Sequence, residues 1–89
     1  MLIDTSSPVI TKLSMISRFT NEEYVNILAA TKTDITVEAW YSAFYAATNV
    51  NLQDDRTING INFLVSKNLL TPERAETILT APIQLYERP

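Results

Sequence analysis

The sequence predicts an all-α domain, a single compact bundle of four to five short helices over residues 7–81, with extended arms at 1–6 and 82–89. Three observations predict it. Ser7-Pro8, Thr20-Asn21-Glu22-Glu23, Asp34-Ile35-Thr36 and Thr71-Pro72-Glu73 each place a side-chain oxygen directly ahead of an apolar pattern, where it meets the unpaired N–H groups of a helix's first turn. Only one Gly is present, too few for the turns of a small β domain. The hydrophobic fraction of 46% in 89 residues is enough for one core and for one domain.

The first helix is expected from Ser7 as cap, with Pro8 at the position whose missing N–H costs nothing, to Arg18-Phe19, and with Ile10, Leu13 and Met15 or Ile16 inward. Thr20 and Glu23 then spell a capping box that opens a second helix, with Tyr24, Ile27 and Leu28 on one face and Val25 beside them. A third helix restarts at Asp34 or Thr36, and Val37, Trp40, Phe44 and Ala47 recur at helical spacing. Between Asn49 and Asp54 the alternation of Val50 and Leu52 predicts an extended stretch pinned to the core.

A fourth helix from Asp55 carries Ile58, Ile61 and Leu64/Val65, with Asp54-Asp55 as a weaker start signal and Gly60 inside it. Glycine at that point costs about 1 kcal/mol against alanine, so it predicts a close helix–helix approach. Lys67-Asn68 is a stop signal, because Asn tolerates left-handed backbone, and Leu69-Leu70 are expected to plug the core. Thr71-Pro72 opens the last helix, with Ala75, Ile78 and Leu79 inward, and Pro82 ends it. The tail Ile83-Gln84-Leu85-Tyr86 alternates like a strand. It has two available roles, folding over this chain's own core or adding to a neighbour, and the second is preferred.

Composition narrows the chemistry. There is no Cys and no His, which removes disulfides, thiolate nucleophiles, the commonest metal ligand and the commonest general base. No glycine-rich phosphate loop is present, so the expectation is no enzyme, no cofactor and no metal. A net charge of −3 lacks the basic footprint of a nucleic-acid binder, and no apolar run approaches the roughly 20 residues of a membrane span. The acid at Asp4 is unlike a signal peptide, so a soluble chain made without export is expected, with no nucleic acid and no membrane as partners.

Weaker constellations resolve to structural roles. Asn49, Asn51, Gln53 and Asp55 alternate like the start of a calcium loop, but the sixth position is Asp54 rather than Gly and the twelfth is Gly60 rather than Glu. Glu22-Glu23 and Asp54-Asp55 sit at helix starts, where the helix dipole explains paired acids. A helix-turn-helix drawn over 55–79 would present Glu73 and Glu76 to phosphates. Arg18 and Arg74 are each suited to hold a carboxylate of a neighbouring helix or a partner.

Trp40, Tyr41, Phe44 and Tyr45 put four aromatics within six residues, more than one core face requires, and Tyr and Trp are favoured interface anchors. Trp40, Tyr41 and Tyr45 are therefore the candidate partner-binding patch, and Ile83, Leu85 and Tyr86 the candidate binding arm.

One resemblance is carried by a skeleton running over about residues 18 to 79. It comprises Arg18-Phe19-Thr20, Glu23, Ile27, Ala29-Ala30, Val37, Trp40, Val50-Asn51-Leu52, Asp55, Thr57, Gly60, Leu64, Leu69-Leu70-Thr71, Arg74-Ala75 and Ile78-Leu79. This resembles small all-helical proteins encoded in the virion and tail gene region of tailed bacteriophages, in which a glycine often stands where this chain has Lys67-Asn68. The resemblance implies a non-enzymatic virion component or assembly helper of the tail or head-to-tail region. Its partner would be copies of itself or another virion protein, in the virion or in the host cytoplasm during assembly. The alternative is a small phage-encoded inhibitor that binds a host protein.

Overall fold

The computed structural model describes residues 7–89, in which five α-helices enclose one core and a two-stranded ribbon ties the start of the chain to its middle. In chain order these are β1 (Val9–Thr11), α1 (Lys12–Arg18), α2 (Asn21–Thr31), α3 (Ile35–Ala46), β2 (Asn49–Asn51), α4 (Asp55–Ser66) and α5 (Pro72–Thr80). A single 3₁₀ turn, Leu85–Glu87, closes the chain. The mostly helical class expected from the capping signals is the class observed. The expected arm over 1–6 lies outside the described residues.

The first helix begins four residues later than its Ser7-Pro8 signal suggests. Val9–Thr11 is a strand, antiparallel to Asn49–Asn51, with Ile10 opposite Val50 and both buried. Pro8 lends its carbonyl to the Leu52 N–H at 3.0 Å, and the Lys12 N–H reaches the Thr48 carbonyl at 3.1 Å. This ribbon carries Ile10 into the core, where a helix would have had to rotate it in. Thr11 is the cap instead, accepting from the Ser14 N–H at 3.1 Å. As a result α1 turns Ser14 and Met15 inward and leaves Leu13, expected in the core, 72% exposed.

The remaining caps fall where the sequence places them. Thr20 accepts from the Glu23 N–H at 3.1 Å and Glu23 accepts from the Thr20 N–H at 2.8 Å, a complete capping box. Asp34, Asp54 and Thr71 accept from the N–H groups of Thr36, Arg56 and Arg74, and Pro72 stands in the first turn of α5. The paired acids are thus accounted for by caps, and the alternating Asn and Gln side chains by a local turn in which the Gln53 N–H donates to Asn51 Oδ1 at 2.8 Å.

Helix α4 ends in a Schellman motif. Asn68 adopts φ 61°, its N–H bonds to the Val65 carbonyl, and the Leu69 N–H reaches back to Leu64. Leu70 follows into the core.

The main core cluster is Ile10, Met15 and Phe19 from the N-terminal elements, Ile27 from α2, Val50 of β2 with Leu52 just after it, Ile61 and Leu64 of α4, Ala75 and Ile78 of α5, and Leu70 from the turn between those two helices. Val25, by contrast, lies outside it and is 51% exposed. Helix α3 buries Val37 and packs against this cluster through Trp40, Tyr41 and Phe44, which are half-buried. Gly60 of α4 is the close approach expected of it, since a Cβ there would lie 2.5 Å from Trp40 Nε1 and 3.2 Å from its Cδ1. Two ion pairs join elements at the surface: Lys67 to Asp34 at 2.9 Å and Arg74 to Glu23 at 2.8 Å.

Candidate functional site

After α5, Pro82 lacks the N–H that would continue the helix, and the chain turns back across the domain. Ile83 packs half-buried against the core. The Gln84 N–H donates to Glu87 Oε1 at 2.8 Å and the Glu87 N–H to the Gln84 carbonyl at 3.0 Å, which winds residues 85–87 into one 3₁₀ turn.

Glu87 points inward. Its carboxylate takes a two-pronged contact from Arg18, Nε to Oε2 at 2.8 Å and Nη2 to Oε1 at 3.1 Å, and both side chains are only 7% exposed. A third guanidinium N–H, on Nη1, donates to the Ile78 carbonyl at 2.8 Å. Burial pushes the Glu87 carboxyl up. The hydrogen bonds from Arg18 and Gln84, with the Arg18 charge, outweigh that and hold it below the ordinary carboxylate range. Arg88 adds a bond from Nη1 to the Ser7 carbonyl at 2.8 Å.

The orientation of the turn has a direct consequence. A 3₁₀ helix has about three residues per turn, so three successive side chains point about 120° apart. With Glu87 fixed inward, Leu85 and Tyr86 must point outward. They are 73% and 79% exposed. Two large apolar side chains are therefore held in water on a turn whose anchor is a buried ion pair.

The aromatic strip of α3 divides between packing and surface. Trp40 lies against Gly60 and stacks on Phe44, ring centroids 5.4 Å apart and planes within 6°. The Tyr41 hydroxyl meets the Tyr24 hydroxyl at 2.8 Å, and burial, then that bond, push the Tyr41 phenol up to about 12. Tyr45 is 54% exposed, its ring 5.7 Å from that of Tyr41 and under the Lys12 ammonium at 4.1 Å.

The candidate residues thus form two groups. Trp40 lines a hollow of about 360 Å³ with Phe44, Asn49 and Thr57, whereas Ile83 lines one of about 720 Å³ with Pro8, Leu52, Ile58 and Leu79. The two hollows share no lining residue. Glu87 and Arg88, which fix the tail, carry no signal in the sequence pattern. Arg18 stands out there only as a cation in want of a carboxylate.

Among the described residues no group of three or more acids converges as a metal ion would require, and no helix is long and apolar enough to cross a membrane. No protein-family model, curated protein or solved structure matches the chain.

Proposed function

We propose that this chain is a non-enzymatic bacteriophage structural or assembly protein, of the virion, tail or head-to-tail region, that acts through protein–protein contacts. The observation that carries the contact role is the outward pair Leu85 and Tyr86, 73% and 79% exposed on a turn clamped by Arg18 and Glu87. Large apolar groups in water are disfavoured, and a rigid anchor lets them meet a partner with little ordering cost. Tyr45, carried on the rigid α3, is a second exposed aromatic of the kind that anchors interfaces. Tyr41 lies beside Tyr45, ring centroids 5.7 Å apart, while Trp40 and Ile83 pack against the core. The phage context comes from the sequence resemblance.

The test is where the chain is found in cells that carry its gene and produce particles. Recovery with purified particles or their assembly intermediates, reduced by Leu85→Ser with Tyr86→Ser, supports the proposal. Recovery at one-to-one yield on a single host enzyme, and never with particles, would replace it with the inhibitor alternative.

A further inference from the structure

We propose that the C-terminal segment 82–89 is an exchangeable plug, and that in an assembly it docks on the Arg18 socket of a second copy of this chain. Three observations carry this. First, the plug is folded by its own bonds: Gln84 and Glu87 cap each other, and the Arg88 N–H bonds to the Leu85 carbonyl. Second, among the described residues no backbone–backbone hydrogen bond joins 82–89 to the helices or strands. The attachments seen among the described residues run through the side chains of Ile83, Glu87 and Arg88. Third, Arg18 also has holds of its own outside the plug, since its Nη1 donates to the Ile78 carbonyl at 2.8 Å and its carbonyl accepts from Arg74 Nη2 at 3.0 Å.

A plug that leaves no strand or helix half-formed can be shared between copies at low cost, the defining condition for exchange of an identical element. Exchange makes the same ion pair, the same Ile83 contact and the same Arg88 bond to the Ser7 carbonyl, so in these contacts the two states are alike and they differ in chain connectivity and in the path through Ala81-Pro82. A short tether gives the plug's own socket an effective concentration on the order of millimolar. The closed monomer therefore prevails in dilute solution, and exchange prevails where neighbours are held side by side. This proposal rests on the reading of the chain as an assembly protein and names its partner as a second copy.

The test uses two full-length variants, Arg18→Glu and Glu87→Arg. Each sets like charges against each other within its own chain, two carboxylates in the first and two guanidinium groups in the second. Exchanged between the two variants, the plugs restore one native Arg18–Glu87 clasp and one pair of reversed polarity. Both are unfolded and refolded, separately and as an equimolar mixture, then followed by circular dichroism and light scattering. The expected result is a mixture with twice the monomer mass and a melting temperature well above that of either variant alone. Because the readout is recovery on mixing, poor folding of the separate variants leaves it usable. A mixture that melts as the sum of its components at monomer mass overturns the exchange. If Leu85→Ser with Tyr86→Ser still lowers recovery with particles in that case, the assembly role stands without it. Rescue at dimer mass in a chain never found with particles would uphold exchange and remove the virion role.

Discussion

Replacing Glu87 with alanine isolates the contact on which the C-terminal turn depends. The substitution removes both carboxylate oxygens from a guanidinium that is only 7% exposed and leaves the Ile78 carbonyl as its one remaining partner among the contacts at that site. The Gln84 N–H loses its acceptor at the same time. Stranding one member of a buried ion pair costs about 3–5 kcal/mol, chiefly because a charge stays buried without its counter-ion. A domain of this size has roughly 5–15 kcal/mol in total. Each kcal/mol is worth about 4–8 °C in melting temperature, so a fall of at least about 12 °C is expected.

The double substitution Arg18→Met with Glu87→Leu removes the charge as well and is expected to lose less than Glu87→Ala alone, since well-packed apolar replacements of buried pairs are often neutral. The assay is thermal and urea unfolding followed by circular dichroism. A loss for Glu87→Ala below about 1 kcal/mol, the range of an exposed pair, would refute the buried clasp. So would a double variant less stable than the single one.

Two further outcomes are expected. The Glu23 carboxyl is held below its ordinary value of 4.5, first by the Arg74 hydrogen bond, and Glu87 is lowered as well. A lowered folded-state value means that the unfolded chain takes up protons first, so this stability is complete above about pH 5 and lost as pH falls further, and melting temperatures that stay flat from about pH 6 to pH 3 would contradict it. Gly60→Ala gains about 1 kcal/mol of helix propensity but sets a methyl 2.5 Å from Trp40 Nε1, in an indole already stacked on Phe44. Overpacking costs about 1–3 kcal/mol, so the net change is a loss of up to about 2 kcal/mol with altered fluorescence of this single Trp, and a more stable variant would contradict the contact.

What is legible in the sequence is what neighbours in sequence decide. Thr20 with Glu23, Asp34, Asp54 and Thr71 are caps because their partners lie two or three residues on. Asn68 is left-handed because the residues just before it end a helix, and Gly60 announces a close contact by its cost in α4. The start of the chain departs from expectation because Ser7-Pro8 is a valid local signal that a non-local one overrides. Val9–Thr11 is a strand only because Asn49–Asn51 pairs with it some forty residues later. The alternation of Val50 and Leu52 marks one strand without naming its mate.

The C-terminal segment shows the same limit. Ile83 to Tyr86 alternates as a strand does, yet the turn is set by Glu87 reaching Arg18 across 69 residues of sequence. Spacing carries no trace of that pairing. The aromatic strip is half legible by the same reasoning: four rings are too many for one core face, and Tyr45 is indeed at the surface. That Tyr41 spends its hydroxyl on Tyr24 depends on how α2 and α3 lie together.

The most direct test of the central claim, that a clamped turn displays Leu85 and Tyr86 for contact with another chain, is the solution mass of the full-length protein across concentration, beside Leu85→Ser with Tyr86→Ser. A chain ending at Ala81 would strand Arg18 and confuse contact with folding, whereas these two side chains are exposed and their loss spares the clasp. The account predicts association of the parent at high concentration, weakened in the variant, with melting temperatures of the two monomers within a few degrees, since exposed substitutions change stability by about 0.5 kcal/mol or less. Equal masses at every concentration, or a variant that unfolds many degrees lower, would contradict it.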